Sequence, residues 1–186
     1  SDLILHQNLS PQFHFEYLLR LTIQSLRVVF LQGRLFSISE VRRGFFKVCE
    51  KDKKIADWIN ELQNIEDSSY LILAYKSAAC TMYAEEISGV SNKLKYFNTG
   101  RKSLDKIISK HPSDIEPRFL RLTIQMNAPF FLGYSGEIKE DKQVVIRGLL
   151  SAEKNKKEPF LVTKIIDYLK STSLCTAEET EFLNKL

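Results

Sequence analysis

Three short stretches of this chain, "SISE" at 37–40, "SDIE" at 113–116 and "TAEE" at 176–179, place a Ser or Thr three residues before a Glu. This is the capping box, in which each side chain can satisfy the other residue's free backbone amide at a helix N-terminus. The boxes pair Ser37 with Glu40, Ser113 with Glu116 and Thr176 with Glu179, and each predicts where a helix starts. Asp52 before "KKIADWINEL" and Ser91 before "NKLKYFNTGRKSLDKIISK" predict two more starts. With "SSYLILAYKSAACTMYAEE", "EIKEDKQVVIRGLLSAE" and "PFLVTKIIDYLK", the tally is about nine helices joined by short loops. Such a string leaves no room for a sheet of any size, so the expected class is all-α.

The N-terminal region needs more argument. Phe13, Phe15, Tyr17, Leu19, Leu21 and Ile23 fall on alternate positions, as in a strand. Ser10 and Pro11 suit a helix start, no breaker follows before Gly33, and Glu16, Arg20, Gln24 and Arg27 form one polar stripe. Helix is favoured, which makes residues 1–36 an apolar helical segment of a single domain spanning 1–186. A chain of 186 residues with 44% apolar and 27% charged content is long enough for one core and short for two.

The hexapeptide "LRLTIQ" occurs at 19–24 and again at 120–125. In the second copy Ile115, Phe119, Leu122 and Met126 make a core stripe, while Arg118, Arg121 and Gln125 line another face. Shifted back by the same offset, the stripe falls on His14, Leu18, Leu21 and Ser25. Two of four core positions become polar, so the match reads as coincidence between two apolar helices rather than as a duplicated unit.

Chemical signatures are sparse. There is no GxSxG, HExxH or phosphate-binding glycine loop, and no catalytic residue is nominated. The three cysteines, Cys49, Cys80 and Cys175, are read as buried thiols; with His6, His14 and His111 they share no ligand-like spacing, so no metal and no cofactor is expected. The stretch 13–31 is interrupted by charges, and no membrane span is expected. The cytoplasm is the favoured compartment, with export the alternative if a leader was removed before Ser1. A net charge of +4 is mild enough to be explained by solubility alone.

In the pair of segments 69–87 and 92–110, Gly100, Leu104 and Ile107 precede Pro112 by 12, 8 and 5 residues. That spacing resembles a tetratricopeptide repeat, although Ile107 stands where that family usually has alanine. The resemblance covers residues 69–128. The longer run "AYKSAA … KLKYFNTGRKSLDKIISKHPSDIEPRFLRLTIQMNAPFFLGY" resembles a family of uncharacterised bacterial proteins with a tetratricopeptide-like fold. The resemblance implies stacked antiparallel helix pairs in a right-handed superhelix, a helical scaffold without known chemistry.

In such a scaffold the first helix of each unit lines a concave groove, which would put Arg118, Arg121 and Gln125 in reach of a protein or peptide partner. Each arginine could fork onto a partner's carboxylate, or onto Asp114, Glu116 or Asp141 of this chain. Tyr75, Lys76 and Tyr83 could face the same groove. The loop "NAPFFLGY" is unusually apolar, and Phe130, Phe131 and Tyr134 either plug the core or present an aromatic patch. The segment 91–121 holds eight basic residues against three acidic ones, which offers an alternative reading as an anion or nucleic-acid surface. The bland reading of Lys102, Lys106 and Lys110 is the solvated face of an amphipathic helix. The expected function is therefore a non-catalytic scaffold for a protein or peptide.

Overall fold

A computed structural model describes residues 37–154 and 158–186. In chain order these form α1 (Ile38–Cys49), α2 (Ile55–Gln63), α3 (Tyr70–Tyr83), α4 (Val90–Lys110) and α5 (Ile115–Asn127). A 3-10 turn (Phe130–Leu132), α6 (Ile138–Lys154), α7 (Pro159–Ser171) and α8 (Ala177–Leu183) complete the unit. No strand occurs among the described residues, so the class is all-α. The apolar helical segment expected over 1–36, with the first copy of the hexapeptide, lies outside the described residues.

Two of the three capping boxes form as expected. Ser37 and Thr176 each accept from the amide three residues on, and Glu40 and Glu179 each accept from the cap's own amide. The box expected at Ser113 does not form. Asp114 is the cap there, accepting from the Glu116 amide at 2.9 Å, because the Glu116 carboxylate is drawn into the core by stronger donors. The starts assigned to Asp52 and Ser91 also shift: α2 begins after Lys54 and α4 after Gly89, whose φ of 86° suits glycine alone.

Side-chain meetings give the direction of each pair. Ser77 meets Ser103, Thr81 meets Gly100 and Tyr83 meets Tyr96, so α3 and α4 run antiparallel. Gln125 reaches Glu137, Arg121 reaches Asp141 and Ile115 touches Gly148, so α5 and α6 do the same. The α3 helix also packs on α1, α2 and α5, and its Tyr75 is fully buried beside Phe45 and Trp58 at ring separations of 5.7 and 6.4 Å. Such edge-to-face contacts add to the burial of these large rings.

The α5 helix is enclosed on nearly every side. Ten of its thirteen residues are buried, including Glu116, Arg118, Arg121 and Gln125, so it has no separate solvent face for a polar stripe to occupy. A helix in that position must pair every charge it carries.

The α3–α4 contact depends on the missing side chain of Gly100. A Cβ there would meet the Thr81 hydroxyl and sit 2.5 Å from the Ser77 carbonyl oxygen and 2.7 Å from the Thr81 nitrogen. Because two of those atoms are backbone, only a separation of the helices relieves the clash. Gly100→Ala is therefore expected to lower stability by about 1–3 kcal/mol. Gly136→Ala, where nothing lies within 4 Å, is expected to be near neutral. Urea unfolding midpoints of the two variants against the parent check this.

Candidate functional site

Helix periodicity places Arg118 and Arg121 on neighbouring turns of α5, and both point at the first turn of α6. There Asp141 is completely buried, at 0% exposure. Arg121 donates Nε to Asp141 Oδ2 at 2.7 Å and Nη2 to Oδ1 at 2.8 Å, a two-pronged pair, and Nη1 to Asp105 Oδ1 on α4 at 3.0 Å. Arg118 donates Nη1 to Asp141 Oδ1 at 2.7 Å and to Glu140 at 2.8 Å, and Nε to the Pro112 carbonyl at 3.0 Å. Burial alone would lower the Arg121 pKa, but its bonds to Asp141 and Asp105 outweigh that and raise it.

Tyr134 joins the same network, donating its hydroxyl to Asp105 at 2.9 Å while its ring lies under Arg101 and edge-on to Phe97. Burial, then the Asp105 charge, pushes its phenol well above the ordinary range. Gln125 donates to Glu137 at 2.9 Å. A second buried cluster holds Arg42, which forks onto Glu116 at 2.7 and 2.8 Å, with Tyr75 donating to Glu116 at 2.8 Å and Glu158 lying 2.6 Å from Arg42.

The candidate partner-binding residues thus separate. Arg118, Arg121, Gln125 and Tyr134 come together, but as an internal joint between α4, α5 and α6, and Tyr75 sits in the other buried cluster. Lys76 donates to the Ile65 carbonyl at 2.7 Å, and Tyr83 packs edge-on to Tyr96. Phe130 and Phe131 behave differently, at 92% and 73% exposed, and Phe131 lines a groove that periodicity arguments about α5 do not reach.

That groove encloses about 1240 Å³ between α1, α3, α4, α5, the 3-10 turn and α7. Its floor is apolar, with Phe45, Phe46, Phe97, Phe119 and Ile124, and its mouth carries Val90, Leu94 and Phe131. The origin of the mouth lies in α4. Val90, Leu94, Phe97, Leu104 and Ile108 share one face of that helix; the last three are buried, whereas Val90 is 75% and Leu94 39% exposed. Among the described residues, the apolar stripe of α4 therefore runs on past those that bury it. Its extent is legible in "VSNKLKYF"; which of its residues the fold leaves exposed is not.

Charged groups fringe the groove: Lys164 pairs with Glu50 and Lys53 with Glu61, while Lys51 and Lys54 lie beside them. Cys49 also lines it, and partial burial, reinforced by Glu50, pushes its thiol up to about 12. All three cysteines are free, Cys49 on an exposed residue and the other two half-buried, so none is the fully buried thiol expected. Among the described residues, no cluster of His, Cys, Asp or Glu is assembled that could hold a metal ion, and no helix is long and apolar enough to cross a membrane. Comparisons with protein-family models, with curated proteins and with solved structures found no match. What the structure adds to the resemblance drawn above is its all-helical class.

Removing one member of the Asp141 joint would leave two buried guanidiniums without their shared acceptor. Asp141→Ala is expected to destabilise the protein by about 3–5 kcal/mol. Guanidinium unfolding, fitted with the slope held common to both proteins, checks the value.

Proposed function

We propose that this chain is a non-catalytic helical scaffold, tetratricopeptide-like in its α3–α4–α5 unit, that binds an amphipathic helical segment of a partner protein in the apolar groove. The observation that carries this reading is the overrun of the α4 stripe. Val90 and Leu94 continue a core face into solvent and line the same groove as the exposed Phe131, which leaves apolar side chains uncovered among the described residues. Patches of that kind are where proteins meet partners.

Size favours a peptide over a metabolite. Small-molecule pockets run to about 300–1,000 Å³ and enclose their ligand. This groove is larger and open along its mouth. A helix laid in a groove presents anchors at i, i+3, i+4 and i+7, and the Phe-rich floor supplies the complementary surface. Charged side chains along the edge would fix orientation rather than supply most of the affinity.

The test is selection from a displayed library of helix-forming peptides against the full chain. Enriched peptides are expected to share an apolar i, i+3/i+4, i+7 pattern, and Leu94→Glu/Phe131→Glu is expected to weaken them about tenfold or more. Both positions are exposed, so the variant should keep its circular dichroism spectrum. Peptides without that periodicity, or equal binding to the variant, would overturn the reading.

A further inference from the structure

We propose that the outer face of α4 is a docking track for single-stranded nucleic acid, on which lysines meet phosphates and Tyr96 offers a ring for base stacking. The argument starts from which basic residues of this region the fold leaves outside. Arg118 and Arg121 are buried on Asp141, Arg101 lies over the Tyr134 ring, and Lys93 donates to the Glu85 carbonyl. Lys95, Lys102, Lys106 and Lys110 remain, all exposed and none in an ion pair with a described residue.

At 3.6 residues per turn these four fall within an arc of about 80° and span about 22 Å along the axis. Thr99 lies in the same strip and Ser103 borders it on the α3 side, bonded to Ser77, so only hydroxyl groups separate the lysines. Asp105, the one acidic residue in α4, is turned away and held by Arg121 and Tyr134. The stripe is thus of a single sign.

A merely solvated helix face has no need of that arrangement. Lys102 stands four residues before Lys106, and Lys106 four before Lys110, and like charges at that spacing work against the helix. A bound polyanion would offset the repulsion by placing phosphates between the ammonium groups. Tyr96 borders the stripe at 40% exposure and is propped edge-on by Tyr83 at 5.8 Å. A basic track with an aromatic ring beside it suits a single strand, whose unpaired bases are free to stack. A duplex hides its bases and would leave the ring unused.

The track is separate from the apolar groove, and the experiment keeps the two apart. Fluorescence anisotropy of labelled oligo(dT) and oligo(rU) is measured with the full chain across a salt series. Four phosphates neutralised give an expected slope of log K against log salt of about −3, at about −0.7 for each. Lys102→Ala/Lys106→Ala is expected to flatten the slope by about 1.4. Tyr96→Ala should weaken binding without changing the slope, and Leu94→Glu/Phe131→Glu should leave the slope intact. Absence of binding at low salt, or an unchanged slope in the lysine variant, would overturn the proposal. So would equal binding of polyglutamate or of phosphatidylserine vesicles, which would make the stripe a general anion or membrane surface.

Discussion

The fold turns on one carboxylate. Asp141 has no exposed surface, yet it accepts three hydrogen bonds from two arginines one helical turn apart, and through Arg121 it is tied to Asp105 on a third helix. Charges withdrawn from water this far are tolerated only when geometry and hydrogen bonding are nearly complete. That requirement sets the angle and the register of α6 on α5, since a slip of one residue would leave a guanidinium buried without its acceptor. At the opposite face of α5, Glu116 imposes the same demand on Arg42 of α1 and Tyr75 of α3. Four helices are therefore keyed to the thirteen residues of α5 by polar contacts that admit few alternatives.

Apolar packing fills in around that frame. Phe45, Phe119, Trp58 and Tyr75 supply large buried rings, and Gly100 permits the close approach of α3 and α4. The N-terminal turns of α4 carry Val90 and Leu94 out of that packing to the mouth of the groove. The two proposed surfaces lie on different faces of this one helix. Val90 and Leu94 face the groove, and the four lysines face solvent.

Much of the architecture was legible before any coordinates. Caps at Ser37 and Thr176 and the apolar periodicity placed most helices within a residue or two. The Ser113 box misled because a capping box is a local signal, and the Glu116 carboxylate answers to Arg42, 74 residues earlier in the chain. Arg118 and Arg121 show the same limit. Their spacing correctly put them on one face, and Asp141 was among the acceptors considered, but periodicity cannot say whether a face is open or covered. That depends on α6, which reaches α5 only in three dimensions. Phe130 and Phe131 were recognisable as an apolar loop, and only the fold decides between plug and exposed patch. It leaves both rings in solvent.

If α5 is the element on which the others are keyed, it should be the last to open. Native-state hydrogen exchange followed by NMR across low denaturant measures this directly. The expected result is that the slowest amides of Ile115–Asn127 exchange only through global unfolding, with a free energy equal to that from denaturant melts. Exchange of those amides through a cheaper, partial opening, while α3 or α4 stays protected, would contradict the account.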